Sequence, residues 1–225
     1  MTLVLATRNP GKVREFTHLL AGLPVRLQCL ADVEGVPPVA EEAFSLEENA
    51  AAKAWAACRF TGSVALGEDS GLEVDALGGA PGTRAARHFG EGLNDEQRVA
   101  RLLAALRGVP AQERSARFRC AMVVAEPGGR QWVVSGELRG AIAERPRGAD
   151  GFGYDSVFLV EGTGSTLAEL GLPAKNAVSH RARAVRAAIP ILDRLAREAA
   201  EGGRGGVAGD PRGAPGESSG RGAAW

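Results

Sequence analysis

The first twenty residues constrain the fold most strongly, because a short apolar run there leads through a polar turn into a helix. Residues Leu3 to Ala6 are apolar, and from Gly11 to Leu20 the apolar side chains fall on one helical face. A buried strand that leads directly into an amphipathic helix needs a sheet covered by helices, since both must bury their apolar sides. This segment therefore predicts an α/β fold.

The following segments continue the alternation of strand and helix. An Ala-rich helix is predicted from Glu47 to Phe60, with a strand after it that begins at Ser63 and ends at the acidic pair Glu68 and Asp69. The glycine-rich sequence after this pair predicts a loop with a short strand. A helical pattern follows from Asn94 to Arg107, with a capping box at its start.

The second half of the chain predicts an antiparallel hairpin and two more helices. Two apolar runs flank a Pro-Gly-Gly turn at residues 127–129. Thr166 and Glu169 have capping-box spacing at the start of a short helix that reaches Leu170, and a long helix is predicted from Ala177 to Glu201, kinked at Pro190. Helices that alternate with strands before a hairpin indicate a mixed sheet rather than a pure Rossmann repeat.

Length and composition are those of an ordinary globular chain. A chain of 225 residues with 44% hydrophobic and 24% charged residues suits one domain with elaborations or two small lobes. From Gly202 onward, glycines and prolines leave almost no large apolar side chain to bury. We therefore predict a single domain over residues 1–201 and a disordered Gly/Pro-rich tail over residues 202–225.

Charge, cysteines and hydropathy argue against several functional classes. The formal net charge of zero provides no basic field for nucleic acid or for an anionic membrane. Three scattered cysteines without a CxxC pair indicate reduced core residues rather than a metal site or a disulfide. The chain starts without a basic leader, and no apolar run reaches the length of a membrane span. We expect a cytoplasmic protein.

The turn after the first strand has the composition of an anion-binding loop. Its hydroxyl, amide and ammonium groups precede a helix N-terminus, where free N–H groups and the helix dipole favour an anion. The turn is not a Walker A sequence, because Lys12 is followed by Val13 rather than by Ser or Thr. The alternative is a plain turn with a solvated lysine. The candidate phosphate-binding residues are Thr7, Arg8, Asn9, Pro10, Gly11 and Lys12, with no role assigned to Arg8.

The acidic pair is the strongest candidate for metal binding or acid–base chemistry. Neighbouring strand residues point to opposite faces, so at most one of Glu68 and Asp69 faces a given site. A carboxylate beside a glycine-rich turn suits Mg²⁺, which takes one or two carboxylates together with phosphate oxygens and water. Glu41 or Glu42 could supply the second carboxylate. The alternative is that these acids are solvated.

Two later segments carry further candidate site residues, and the first of them has an aromatic ring that suits a base. Phe152 lies between glycines, beside the only tyrosine, Tyr154. Glycine lets a ligand approach the backbone closely, and an aromatic ring can stack on a base. The alternative for Phe152 is that it is a core aromatic residue in a turn. The alternative for His180 is that it is a surface or capping residue. The polar candidates of these segments are Asp155, Lys175, His180 and Arg181.

Together these stretches resemble the inosine/xanthosine triphosphate pyrophosphatase family, also called Ham1-like. The matching segments, in order, are LATRNPGKVREF, EENAAAKA, EDSGLEVDALGGAPG, GFGYDSVF and AELGLPAKNAVSHR. The resemblance implies an elongated, two-lobed α/β fold with a curved mixed sheet flanked by helices, usually as a homodimer. It also implies Mg²⁺-dependent hydrolysis of ITP, dITP and XTP to the monophosphate and pyrophosphate.

The resemblance further implies a role for each matching residue. Asp69 matches the general base close to Mg²⁺, and Glu41 resembles the further metal-binding acid. Lys53 matches a lysine that reaches the triphosphate, and Ser70 a residue that contacts substrate. All three lysines of the chain, Lys12, Lys53 and Lys175, fall in family motifs. The implied base-binding residues are Phe152, Gly153, Tyr154 and Asp155, closed by Lys175, His180 and Arg181.

The sequence departs from the family pattern at three places. Ser156 stands where a proline commonly follows FGYD, which could loosen the turn. The segment EEAFSL lacks the glycine that often follows the acid, so either Glu41 or Glu42 could bind metal. The segment PGTRAAR differs from the usual PGVYSAR.

Two other functional classes remain to be compared with this expectation. A nucleotide sensor without catalysis would keep the binding loop and lose the acid, but Asp69 is present. A nucleic-acid-binding module would need a basic face, which the balanced charge disfavours. We therefore expect an enzyme that acts on a purine nucleoside triphosphate and binds neither nucleic acid nor membrane.

Overall fold

One mixed sheet connects all the strands that the structure describes. The computed structural model describes residues 1–39 and 43–202. Its elements are β1 (Thr2–Leu5), α1 (Pro10–Leu19), β2 (Arg26–Cys29), α2 (Leu46–Thr61), β3 (Val64–Val74), β4 (Pro81–Gly82), α3 (Asp95–Ala105), β5 (Ser115–Ala125), β6 (Gln131–Ile142), β7 (Phe158–Val160), α4 (Leu167–Val178) and α5 (His180–Gly202).

The strand order confirms the predicted class. The sheet runs β2-β1-β3-β5-β6-β7, with β4 paired to the far half of β3. β1 pairs in parallel with β2 and β3, whereas the pairs β3–β5, β5–β6 and β6–β7 are antiparallel. The fold is therefore α/β with a curled mixed sheet, and the predicted hairpin is β5–β6.

Helix starts follow the capping residues of the sequence. The Asn9 side chain caps α1, and Pro10 occupies its first turn. Capping boxes begin α2 at Ser45, α3 at Asn94 and α4 at Thr166, each with Glu or Gln three residues on. The predicted starts of α1 to α4 are thus confirmed to within a residue or two.

The strand that carries the acidic pair is longer than predicted. We expected it to end at Asp69, but β3 continues through Ser70 to Val74. Residues 70–74 pair in register with β5, from Ser70 opposite Cys120 to Val74 opposite Ala116. The glycine and acid content of this stretch favours a loop locally, and the long partner strand overrides that preference. The acids therefore lie in the middle of a strand.

The final helical region is divided differently from the prediction. We expected a short helix ending at Leu170 and a long one starting at Ala177. Instead α4 continues to Val178 across a non-helical Gly171, and α5 begins at His180. Ser179 separates them because its backbone is extended and its hydroxyl accepts a hydrogen bond from the Ala182 amide, which makes it the cap of α5.

The apolar core is divided along the long strands. The first half of β3 and the second half of β5 pack between α1 and α5 on one face and α2 on the other. The second half of β3 and the first half of β5 pack against α3 and the start of α4. Glu68, Asp69 and Ser70 lie where these two halves of the core meet.

Two glycines bring helices into direct contact with the sheet. A Cβ at Gly67 in β3 would lie 2.1 Å from the carbonyl oxygen of Ala50 in α2. A Cβ at Gly136 in β6 would lie 2.1 Å from the carbonyl oxygen of His180 in α5. Since real Cβ atoms do not approach so closely, α2 and the start of α5 lie closer to the sheet than side chains would allow.

Some predictions concern residues outside the described ranges. Glu41 and Glu42 are among these residues, and so is the predicted tail apart from Gly202. Of the helices that are described, none combines the length and the hydropathy that a membrane crossing requires.

Candidate nucleotide-binding and catalytic site

The loop between β1 and α1 is held by its own polar side chains. The Asn9 Oδ1 atom accepts a hydrogen bond from the Lys12 amide at 3.1 Å, and the Thr7 hydroxyl accepts one from the Asn9 amide at 3.2 Å. Arg8, to which the sequence assigns no role, donates to the Val36 carbonyl at 2.7 Å. The loop is thus fixed both to the helix and to the segment after β2, with the N-terminus of α1 beside it.

Glu68 and Asp69 point to opposite faces of β3, as the strand periodicity predicts. Asp69 faces α2, where its Oδ1 atom lies 3.0 Å from the Lys53 ammonium and its Oδ2 atom accepts from Asn49 at 2.9 Å. The Lys53 ammonium also donates to the Glu68 carbonyl at 3.1 Å. The Glu68 carboxylate faces α1 and α5 instead, 2.6 Å from Lys12 and 3.0 Å from Arg181.

A buried network of ion pairs connects α1, β3, α4 and α5. Glu15 contacts Lys175 at 2.6 Å and also Arg181, and Lys175 pairs with Asp155 in turn. Arg181 reaches the Ser70 hydroxyl at 3.2 Å in addition to Glu68. Together with Lys12 and the Lys53–Asp69 pair, the network contains as many carboxylates as cations. The four carboxylates are Glu15, Glu68, Asp69 and Asp155, and the four cations are Lys12, Lys53, Lys175 and Arg181. The formal charge of the network is zero.

Burial and neighbouring charges shift the pKa values of Glu68, Asp69 and Asp155 in different directions. Burial alone would raise the pKa of Glu68, but Lys12 and Arg181 hold this pKa well below its usual range. For Asp69 and Asp155 burial dominates, and it raises each pKa despite the attraction of Lys53 and Lys175 respectively. Asp69 is therefore a more basic carboxylate than a solvated aspartate.

His180 is buried in a fixed orientation. Its ring stacks on Phe118 with centroids 4.7 Å apart and planes at 12°. Burial lowers the pKa of His180 well below its ordinary value, and Arg181 lowers it further. The ring is thus neutral at pH 7, and its buried Nδ1 atom has no hydrogen-bond partner within the described part of the chain.

The Phe152–Asp155 segment is fixed by contacts at each residue. The Phe152 ring packs on Gly11, 4.7 Å from the Lys175 ammonium, and the Phe152 amide donates to Asp155 at 2.9 Å. The Gly153 amide donates to Asp95 of α3 at 2.7 Å, and the Tyr154 hydroxyl to the Ala85 carbonyl at 2.9 Å. Burial raises the pKa of Tyr154 to about 12, so the phenol is neutral.

One cavity of about 600 Å³ brings the predicted site residues together. Its lining includes Thr7, Arg8, Asn9, Pro10, Gly11, Lys12, Lys53, Asp69, Ser70, Phe152, Gly153, Tyr154, Asp155, Lys175, His180 and Arg181. These are all the predicted substrate-binding and catalytic residues, and they come from five separate segments of the chain. Glu41, the predicted further metal ligand, lies outside the described residues.

Sequence reasoning missed several residues at the cavity or directly behind it. Glu15 and Asn49 are buried partners of the site, and Phe118 stacks on His180. Helical spacing places Asn49 on the face of Lys53, but it does not say that the two side chains share Asp69. Glu15 follows Arg14 without any local pattern that marks it as buried. Arg84 and Arg87 also line the cavity.

The described residues suit a magnesium ion only in part. They contain no group of three or more His, Cys, Asp or Glu side chains that could hold a metal ion. Asp69 is one carboxylate in the cavity wall, whereas the Ser70 hydroxyl lies on the other face of β3, within reach of Arg181. Such a donor set fits Mg²⁺ bound through one or two carboxylates and substrate phosphates, and it does not fit a cage made by protein ligands alone.

The comparisons with known proteins agree on one family. The model of the Ham1 family matches residues 3–191. A dITP/XTP pyrophosphatase from Geobacter sulfurreducens is 52% identical over 183 residues, which cover 81% of this chain and 92% of the relative. One from Desulforamulus reducens is 46% identical over 195 residues, covering 87% of this chain and 97% of the relative.

Solved structures give the same result. The structure of the Staphylococcus aureus Ham1 protein superposes with a TM-score of 0.77 at 32% sequence identity. The match covers 87% of this chain and all of the other.

Proposed function

The chain belongs to the Ham1 family, and on this basis we propose that it hydrolyses the deaminated purine nucleoside triphosphates ITP, dITP and XTP to the monophosphate and pyrophosphate. This reaction would remove such noncanonical nucleotides from the pool before they enter DNA or RNA. The observation that carries the proposal is that the start of α1, three lysines, a buried aspartate and an aromatic ring converge on one cavity.

The groups around Lys12 and Lys53 suit the triphosphate. At the start of α1 Pro10 has no N–H, and the Lys12 N–H is donated to Asn9. The Gly11 N–H and the helix dipole are therefore what favour an anion there. The two ammonium groups approach the cavity from α1 and α2. Both lysines contact carboxylates, Lys12 at Glu68 and Lys53 at Asp69. These contacts hold the two ammonium groups at the cavity wall, from which a flexible lysine side chain can turn toward a phosphate oxygen.

Asp69 is the residue best placed to act as a base. Its carboxylate lines the cavity, it is buried, and its raised pKa increases its affinity for a proton. Hydrolysis between the α and β phosphates needs a water molecule directed at the α phosphorus. We assign to Asp69 the orientation of this water and the acceptance of its proton.

The charge balance of the site supports a requirement for Mg²⁺. The four cations of the buried network already contact four carboxylates, so they offset only part of the charge of a triphosphate. A magnesium ion, when bound, would neutralise phosphate charge and polarise the phosphoryl group. Asp69 would be one ligand, and Glu41 or Glu42 is the proposed second.

The groups around Phe152 suit the purine. Hypoxanthine and xanthine present an acceptor O6 beside a donor N1–H, whereas adenine presents the reverse pattern. Lys175 and Arg181 supply donors and the Asp155 carboxylate an acceptor at this part of the cavity wall. Buried polar groups left unpaired by adenine would give strong selection against ATP. Phe152 supplies a face for stacking.

A nucleotide panel tests the proposal. With Mg²⁺ present, we expect release of pyrophosphate from ITP, dITP and XTP at rates at least about 100-fold above the rate for ATP, as polar mismatches of this kind allow. Release of orthophosphate, or a preference for ATP, would contradict the proposal. Binding without turnover would instead favour a nucleotide sensor, and repetition in EDTA tests the requirement for the metal.

The quaternary structure and the location complete the proposal. We propose a homodimer, as the family resemblance implies, located in the cytoplasm with the nucleotide pool on which the enzyme would act. Sedimentation of the purified protein tests the dimer, for which the expected mass is twice the chain mass of 23.3 kDa.

A further inference from the structure

Helix α2 holds both oxygens of the Asp69 carboxylate. Asn49 and Lys53 are one helical turn apart, so their side chains leave the helix on the same face. The Asn49 Nδ2 atom donates to Oδ2 of Asp69 at 2.9 Å, and the Lys53 ammonium lies 3.0 Å from Oδ1. The two donors differ in kind, because a lysine on a flexible stem can turn toward a phosphate whereas a buried amide cannot.

A second hydrogen bond fixes the orientation of the Asn49 amide. The backbone N–H of Ala43 donates to Oδ1 of Asn49 at 3.1 Å. A backbone N–H is only a donor, so the oxygen of the amide must face Ala43 and the NH₂ group must face Asp69. Asn49 is 1% exposed, which leaves it no solvent alternative.

The backbone contact between α2 and β3 makes this short bridge possible. Because Gly67 has no side chain, α2 lies against the strand two residues before Asp69. At that separation the short Asn49 side chain spans the gap. Ala43 directly follows Glu41 and Glu42 in sequence, so the same amide joins Asp69 to the backbone beside the acids proposed as its metal-binding partners.

We propose that Asn49 is a positioning residue for Asp69, which holds one carboxylate oxygen in a fixed orientation. The inference rests on the proposed function of Asp69. When Lys53 turns toward a phosphate, the hydrogen bond from Asn49 is the contact from α2 that keeps the Asp69 carboxylate in its orientation. Partners of this kind change rates by about 10 to 100-fold when they are lost.

Three variants test the inference. Asn49→Leu removes the donor at similar size, and Asn49→Ser removes the amide with a smaller side chain in case the first variant folds poorly. Gln131→Leu is the matched control. The amide oxygen of Gln131 also accepts a hydrogen bond from α2, from Trp55 Nε1 at 2.6 Å, and this contact lies outside the cavity. The readouts are kcat and KM for ITP with Mg²⁺, and the affinity and stoichiometry of ITP binding in EDTA by calorimetry.

We expect kcat of both Asn49 variants to fall about 10 to 100-fold. The KM for ITP, the affinity for ITP in EDTA and the stoichiometry of one ITP per chain should stay as in wild type. The control should keep wild-type kcat. If the fall in kcat were matched by a fall in the number of ITP sites per chain, the variants would simply contain less folded protein, and the inference would be overturned. A kcat within about threefold of wild type would also overturn it. A wild-type protein without turnover would instead overturn the proposed function, and the inference with it.

Discussion

At the scale of single residues, the least obvious contributor to the site is Glu15, a carboxylate on the inner face of α1. It is 2% exposed, and its two oxygens meet Lys175 and Arg181. Both cations come from the far end of the chain, so this one side chain connects the first helix to the last two. Removing one partner from a buried pair leaves the other charge desolvated and unpaired.

We expect Glu15→Gln to lower the free energy of unfolding by about 3 kcal/mol, because it leaves two buried cations without this counter-charge. Urea denaturation monitored by circular dichroism measures the change. Glu126→Gln, which breaks an exposed pair with Arg130, is the control and should have a much smaller effect. Equal effects of the two substitutions would show that the buried network does not stabilise the fold.

At the scale of elements, the position of α2 is determined by one glycine in the neighbouring strand. A Cβ at Gly67 would lie 2.1 Å from the Ala50 carbonyl oxygen and 2.5 Å from the Ala54 amide nitrogen. These are backbone atoms, so rotation of a side chain cannot relieve the overlap. Asn49 and Lys53 would be displaced together with the helix.

We therefore expect Gly67→Ala to reduce kcat for ITP by at least about 10-fold, since it moves both partners of Asp69, and to lower the thermal midpoint. Gly128→Ala in the β5–β6 turn is the control, because its nearest contact would be an ordinary 3.7 Å to a glutamate side chain. Wild-type kcat in Gly67→Ala would mean that the close contact is not needed for activity.

Local sequence signals predicted most elements, and they failed where pairing or packing over long distances decides. The capping residues Asn94 and Thr166 and the Pro-Gly-Gly turn act within a few residues, so the sequence displays them. The second half of β3 was missed because its glycine and acids are typical of loops, and only the register with β5 makes it a strand. The break at Ser179 is an exception, because its cap is a local signal and it was missed when the predicted helix was continued through it.

For the site, the motifs predicted which residues face the cavity but not how they pair. Lys12 and Lys53 were expected beside phosphate, and the structure adds their carboxylate partners Glu68 and Asp69. These pairings depend on which strand face meets which helix, which is a property of the assembled sheet. For the same reason Glu15 could not be distinguished from a solvated glutamate.

At the scale of the whole molecule, the stability of the fold is linked to the protonation of its one buried histidine. His18 and His88 are exposed, whereas His180 is 3% exposed and its pKa lies well below the ordinary value of 6.5. Below pH 6.5 the unfolded chain therefore binds a proton that the folded chain does not. Acidification through this range shifts the equilibrium toward the unfolded state.

We expect the free energy of unfolding to fall as the pH decreases below about 6.5, with a slope approaching about 1.4 kcal/mol per pH unit from His180. Asp69 and Asp155, whose pKa values are raised, act in the opposite direction nearer their own range. The slope should be smaller in His180→Gln than in wild type, as measured by urea denaturation between pH 7 and about 5. Identical slopes would show that His180 is not the group responsible.

The position of Asp69 where the two halves of the core meet makes it the residue on which the proposed chemistry depends. The most direct test compares ITP hydrolysis and ITP binding in wild type and Asp69→Asn, a substitution that keeps size and removes the charge. We expect kcat to fall by at least about 100-fold, as for loss of a general base, while ITP affinity in EDTA stays within about threefold. Turnover close to that of wild type would contradict the account.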